Sequence, residues 1–341
     1  MFAKHPSPGS GYRSMNVVVW VLIALFAVVA ITYFTGPRIP VPAYVAELPE
    51  VPTDPAGAAA YLDEKEAAAP TRPDNAAHIV WHEGAVRKTP LSIVYLHGFG
   101  GSYRDGYPVS QQVADSLGAN LLQARWGNHG LTPDHALVGM TPESCWADAR
   151  EALALGLALG ERVVILSTST GGTLAIKLAA EFPDRVAAIV NISPNVEDDM
   201  PGAWLLNSPW GYELAHLVSL GEHRKVSHEE PAARQYFDTI FPAKALVDLE
   251  VLVSTTMTEA TFRRVRCPVQ TLYYYRNWLN EDERVEVDVY PAMHEQFATP
   301  REQQELIRLP TPETHWMGSD IKSKDVDATR VAILAWLRRM V

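Results

Sequence analysis

The strongest constraint on this chain is a rhythm that starts near Ile79 and runs to the C-terminus. Short apolar, β-rich runs alternate with segments of helical character. SIVYLHG (Ser92–Gly98), ANLLQARW (Ala119–Trp126), RVVIL (Arg162–Leu166), RVAAIVNIS (Arg185–Ser193) and PVQTLYYY (Pro268–Tyr275) read as strands, with another near Glu305–Leu309. Between them fall helices over Pro108–Leu117, ended by Gly118, over Thr141–Gly160, opened by a Thr-Pro cap, and over Gly171–Phe182. A last helix covers Val326–Met340. Apolar strands separated by helices predict an α/β chain whose mostly parallel sheet is covered on both faces. In such sheets ligands bind beyond the carboxyl ends of the strands, so the residues just after each strand are the ones to read for chemistry.

One stretch breaks the rhythm. Residues 195–266 hold no clear strand but contain Trp204, Leu205, Leu206, Trp210, Tyr212, Leu214, Tyr236, Phe237 and Phe241. They predict a mainly helical insertion after the fourth strand, placed where it could cover a site.

After the third strand comes Ser167-Thr168-Ser169-Thr170-Gly171-Gly172 and then an apolar helix. A nucleophile elbow needs a sharp strand-to-helix turn that lifts one side chain above the sheet, with small residues two before and two after it. Ser167 and Gly171 meet that need around Ser169, although Ser167 stands where glycine is usual. A phosphate loop fits less well, because there is no Gly-Lys-Ser/Thr and Lys177 lies too far down the helix. The first of these strands runs into His97-Gly98-Phe99-Gly100-Gly101-Ser102, whose glycines let backbone approach a ligand. N–H groups of Phe99 and Thr170 could both point at a developing oxyanion, each worth about 3–4 kcal/mol to a transition state. His97 reads as a brace for this loop.

A serine nucleophile needs a base, and the base an orienting acid. The fifth strand is followed by Asn277-Trp278-Leu279-Asn280-Glu281-Asp282-Glu283-Arg284-Val285. Asp282 is the candidate acid, just before the turn into Arg284-Val285-Glu286-Val287; Glu281 and Glu283 are rivals, and Asn277 lies nearer the strand end. His315, in the loop before the final helix, is the candidate base, with His129 and His294 as weaker rivals. The order Ser169, Asp282, His315 is that of the α/β-hydrolase triad. LHGFGGS, the WGNHG turn, STSTGGTLA with FPDRV, DERVEV and THW together resemble the α/β-hydrolase superfamily, and within it the lid-bearing, monoacylglycerol-lipase-like and carboxylesterase-like members. The resemblance covers roughly residues 79–337. It implies an α/β-hydrolase fold, Ser169 as nucleophile, His315 as base, Asp282 as acid, Phe99 and Thr170 as oxyanion donors, and a lid over an acyl pocket. The chain departs from its relatives in Ser167 and in the tyrosines at 273–275, where they often carry His-Gly.

Ahead of this body, Val17–Phe34 is 18 residues without a charge. At 1.5 Å per residue it is about 27 Å long, close to the hydrocarbon thickness of a bilayer. Trp20 and Tyr33 lie near its ends, where amphipathic rings favour the interface. It reads as an uncleaved anchor; the alternative is a signal peptide cut after Ala30, giving a secreted protein. Lys4, Arg13 and the α-amine precede the span and only Arg38 closely follows it, which puts the N-terminus in the cytoplasm and the body outside. Six prolines between Pro37 and Pro55 predict an extended tether, followed by a helix over Ala56–Ala69 opened by Asp54-Pro55 and ended by Pro70. The expected organisation is a tail over 1–16, an anchor over 17–34, a tether with a short helix over 35–78, and a hydrolase domain over 79–341 with a lid over 195–266.

Residues 39–341 carry 26 basic and 40 acidic side chains, a net charge of −14, a poor match for a nucleic-acid backbone. Two cysteines, Cys145 and Cys267, make neither a disulfide framework nor a Cys-based zinc site. The expected function is hydrolysis of a carboxylic ester in a small-molecule or lipid-like substrate, with the aromatic insertion pointing to an apolar acyl group and no metal or organic cofactor needed. The same triad also serves thioesters, amides and carbon–carbon bonds. The alternative from another class, an inactive binding module on the same fold, has no physical need for elbow, oxyanion loop, acid and histidine together.

Overall fold

Strand and helix follow each other much as the apolar runs demand. The computed structural model describes residues 11–228 and 230–341. It opens with helix α1 (Gly11–Thr35), a strap without regular structure, α2 (Pro55–Ala67) and the short strand β1 (His78–Val80). Next come β2 (Thr89–Leu96), α3 (Val109–Leu117), β3 (Asn120–Gln123), α4 (Pro142–Leu159), β4 (Gly160–Thr168), α5 (Thr170–Glu181) and β5 (Val186–Ile192). Residues 195–266 contain α6 (Gly211–Val218), β6 (His223–Lys225), α7 (Ala233–Tyr236), β7 (Ile240–Pro242), α8 (Lys244–Thr256) and α9 (Glu259–Phe262). The chain returns to the sheet with β8 (Val269–Asn277), β9 (Asn280–Glu281), α10 (Tyr290–Gln296), β10 (Gln304–Leu309) and α11 (Val326–Met340).

The sheet order is β1-β3-β2-β4-β5-β8-β10. From β3 to β10 neighbours run parallel, β1 pairs antiparallel at one edge, and β9 folds back on β8. Alternate side chains of a strand face opposite sides of the sheet, and here both sides are apolar. Ile93, Tyr95, Val164 and Leu166 pack in one layer with Val113 of α3 and Ile333 and Trp336 of α11. Val94, Leu96, Val163 and Ile165 pack in the other with Leu153 of α4 and Leu174 and Leu178 of α5. Helix ends follow local chemistry: Thr141 and Ser144 form a reciprocal capping box on α4, and Gly118 ends α3 at a φ of 64°.

Three features differ from expectation. The insertion is not strand-free: β6 and β7 pair antiparallel, with Arg224 opposite Phe241. The run His223-Arg224-Lys225 is polar and exposed throughout, so it carries no period-2 signal. Helix α1 begins at Gly11, inside the expected tail, while Lys4 lies outside the described residues. Its Asn16–Thr35 stretch is long and apolar enough to cross a membrane, as a signal sequence also is, and none of it is buried.

The third difference is the strap. Rather than leaving the domain free, the proline-rich stretch lies against it. Tyr44 meets Trp146 edge-on, and its hydroxyl hydrogen-bonds Thr255 Oγ1 at 2.7 Å. Trp146 Nε1 donates to the Val45 carbonyl at 2.7 Å, and Leu48 and Val51 pack on the core. Helix α2, capped by Asp54 through the Gly57 N–H, buries Ala58 and Leu62. Its Glu66 accepts two hydrogen bonds from Arg125, at 2.7 and 2.9 Å, in the interior. Proline keeps the strap extended while its other side chains fill grooves. The expected domain boundary at residue 79 thus falls within a packed unit.

Candidate active site

Strand β4 ends at Thr168 and helix α5 starts at Thr170, which leaves Ser169 alone to make the turn. It does so at φ 55° and ψ −121°, a conformation that costs a non-glycine residue about 1–3 kcal/mol. Neighbouring backbone holds it there: the Ser169 N–H donates to the Ile192 carbonyl at 3.0 Å, and its carbonyl accepts from Asn195 at 2.9 Å and Gly172 at 2.8 Å. The turn is tight enough to exclude side chains. A Cβ on Gly171 would lie 2.0 Å from the Leu96 carbonyl oxygen, and one on Gly172 would lie 2.5 Å from Pro194 Cβ. Ser167, where glycine is usual, is fully buried and donates its hydroxyl to Asn191 Oδ1 at 2.9 Å, so β5 absorbs the extra atoms.

The glycine-rich loop after β2 passes over this turn, with Gly98 close to Ser169 Cβ. Among the described residues, neither the Phe99 nor the Thr170 N–H has a protein acceptor. Asp105 holds the loop from behind. Its carboxylate accepts the Gly98 N–H at 2.7 Å and the Tyr95 hydroxyl, which also contacts Thr168 Oγ1 at 2.8 Å. Burial pushes the Asp105 carboxyl up to about 7, against the two donors that pull it down. Asp105 links loop, strand and elbow, yet nothing in its local sequence marks it. The segment 195–266, here called the cap, reaches this loop: the Asp238 N–H donates to the Gly100 carbonyl at 2.6 Å. The Asp238 carboxyl pairs with Arg72 at 2.9 Å, and burial pushes it up to about 7 as well.

Asp282 and His315, 33 residues apart, meet in the interior. His315 Nδ1 lies 2.9 and 2.8 Å from the two Asp282 oxygens, so Nδ1 carries the proton that the carboxylate accepts and Nε2 is left as the acceptor. Burial works against the Asp282 charge, but the His315 ring and the Arg284 N–H hold its pKa below the ordinary carboxylate value. The rivals do not share this position: Glu281 is half-buried, Glu283 and Asn277 are exposed, and none bonds to His315.

His97, His129 and His294 are occupied or enclosed. His97 donates from Nδ1 to the Gly98 carbonyl at 2.8 Å and accepts the Trp126 N–H at Nε2, and burial lowers it to about 3. His129 is buried beside His97 and Phe99, and burial lowers its pKa. His294 bonds Thr271 and Gln304, and burial lowers it to about 4. Lys177 lies over Tyr44 and Trp146, well away from the turn. Among the described residues no group of three or more His, Cys, Asp or Glu is arranged to hold a metal ion.

Ser169, Phe99, Thr170 and His315 line one cavity of about 650 Å³. Among the described residues no hydrogen bond joins Ser169 to His315; such bonds often tighten only once substrate is bound. The cap supplies much of the wall through Leu206, Val218, Phe237, Phe241, Leu246 and Leu249. Arg224, Lys225 and Arg284 bring positive charge, with Arg284 stacked on Trp316. The arrangement offers a lifted hydroxyl, a histidine oriented by a buried carboxylate and two unpaired N–H groups beside a chamber lined by apolar residues and by charged ones, among them Asp198, Asp199 and Glu283.

The model of the alpha/beta hydrolase family matches residues 93–320. No curated protein sequence matches the chain. Among solved structures, it is similar to a lipolytic enzyme from the metagenome-derived pair LipS and LipT, with 18% identity, 79% of this chain and 99% of that one covered, and a TM-score of 0.63. A monoacylglycerol lipase of Paleococcus ferrophilus aligns at 13% identity, covering 78% and 98% of the two chains, with a TM-score of 0.56. Est1E of Butyrivibrio proteoclasticus, solved with ferulic acid bound, aligns at 16% identity, covering 77% and 94%, with a TM-score of 0.54. At these identities the likeness is one of fold.

Proposed function

Because the chain belongs to the alpha/beta hydrolase family, we propose that it is a serine hydrolase cleaving carboxylic esters with apolar acyl groups. Ser169 Oγ attacks the ester carbonyl while His315 Nε2 takes its proton, and Asp282 stabilises the resulting imidazolium. The N–H groups of Phe99 and Thr170 hold the negative oxygen of the tetrahedral intermediate. Its collapse expels the alcohol, which takes the proton back from His315, and leaves the acyl group on Ser169. A water molecule, deprotonated by the same histidine, then attacks the acyl-enzyme, and His315 returns that proton to Ser169 Oγ as the acid leaves. The observation that carries this reading is the His315–Asp282 bond opening onto the cavity that also holds the strained Ser169 turn. Apolar cap residues favour a lipid-like acyl group. In this reading residues 195–266 act as the lid, and α1 anchors the domain on the non-cytoplasmic side of a membrane.

A fluorophosphonate probe tests the chemistry. It should label the protein covalently, and Ser169→Ala should abolish labelling and lower ester turnover by several orders of magnitude with the fold intact. Normal labelling and turnover in that variant would remove the serine reading, and an unlabelled wild-type protein would favour a binding module.

A further inference from the structure

The end of α1 touches the cap, and catalysis has no use for that contact. Trp210 Nε1 donates to the Thr32 carbonyl at 2.9 Å, and the Trp210 backbone N–H to Pro37 at 3.0 Å. Val28, Val29, Thr32 and Tyr33 face Leu205, Pro209, Trp210 and Leu214 across one apolar groove. Val28 lies six residues before Phe34, which is about 9 Å along a helix axis. A span that ends at Phe34 therefore draws this part of the cap down beside its last turns, by about the 5–10 Å to which interfacial helices bury.

The cap is built for that depth. Positions 210, 214, 217 and 218 fall on one face of a helix with 3.6 residues per turn. Helix α1 covers the Trp210 and Leu214 end of this stripe. Leu217 and Val218 continue it in the open, Leu220 beyond them is 94% exposed, and Trp204 is 65% exposed. The exposed strand His223-Arg224-Lys225 follows at once. In a strongly acidic body, a basic edge beside an apolar stripe complements anionic headgroups above acyl chains. Val218, Arg224 and Lys225 also line the cavity that reaches Ser169.

We propose that this cap face rests on the membrane α1 enters, with Trp204, Leu217 and Leu220 at the headgroup–acyl boundary and Arg224 and Lys225 against anionic headgroups, so that lipid esters enter the cavity sideways from the bilayer. The inference rests on the anchor and esterase readings above.

Full-length protein in vesicles of phosphatidylcholine and phosphatidylglycerol provides the test. Cys145 and Cys267 are buried free thiols, so an environment-sensitive dye goes to an introduced cysteine. Dye on Leu220→Cys should shift to the blue and be quenched by lipid-borne quenchers, whereas dye on Ser116→Cys, exposed on α3, should stay water-like. A water-like, unquenched dye at position 220 on protein that resists carbonate extraction overturns the seating and spares the anchor. Extraction by carbonate overturns both, and missing fluorophosphonate labelling strikes the esterase reading and with it the substrate route, while the dye at position 220 still decides the seating. A blue shift without vesicles that grows with protein concentration would mean that a second copy covers the face, and it would overturn the proposal. The double variant Leu217→Glu, Leu220→Glu should lower kcat/KM about tenfold on a long-chain monoacylglycerol in vesicles, through lost interfacial burial, and leave a short soluble ester within about twofold. An equal change on both substrates overturns lateral entry.

Discussion

Asp282 shows what a residue's surroundings add to its chemistry. Three carboxylates stand in a row at 281–283, and only the middle one is carried inward to His315. Asp282→Asn should lower kcat by about 10⁴-fold by disfavouring the productive tautomer, while Glu281→Gln and Glu283→Gln should change it little. Small, equal effects at all three would leave the acid to be found elsewhere. The sequence made Ser169, His315 and the loop around Phe99 readable, because small residues and position after a strand are local signals. It put Asp282 ahead of its neighbours only by its place before a turn and could not reveal Asp105, since burial and partners decide both, and those come from distant elements. Asp105 also predicts a pH effect. Its folded pKa, about 7, lies above the ordinary carboxylate value, so the folded state binds the proton more tightly than the unfolded chain. Its stabilising contribution is full below about pH 4 and is lost as pH rises toward 7. Asp105→Asn should flatten that stretch of the Tm-versus-pH curve, and identical curves for the two proteins would contradict it.

The elements most legible in the sequence are those with an apolar run of four or more residues: β2, β4, β5, β8 and the helices α4 and α11. The β6–β7 pair was hidden because its first strand is exposed on both faces. The packing of the strap leaves no mark in the sequence, because proline content reports on backbone extension and says nothing of what the extended chain lies against. A test follows from α2. Its Glu66 neutralises Arg125, which also donates to the carbonyls of Trp126, Gly127 and His129. Glu66→Ala leaves that guanidinium buried without its carboxylate and should destabilise the protein by about 3–5 kcal/mol, read as a lower denaturation midpoint. A helix that merely dangled from the domain would give no such loss.

For the whole molecule, an uncharged span of this length should hold the protein in membranes through high-salt and carbonate washes. A chain starting near Pro40 should be soluble and still hydrolyse soluble esters, because every candidate catalytic residue lies beyond it. Protease added on the non-cytoplasmic side should digest the domain, whereas a domain on the cytoplasmic side would be protected. A mature soluble protein beginning near Ile31 would mark the segment as a cleaved signal and leave the catalytic reading standing. The packed strap carries a further consequence. A flexible linker over residues 35–78 would let a catalytic head roam roughly 35 Å from its anchoring point. Here Tyr44, Val45 and α2 are fastened to the domain, and that slack is gone. If α1 is the anchor proposed above, the domain has no such reach toward a facing membrane, and a lipid substrate would meet it by lateral diffusion within the one sheet of lipid that holds it.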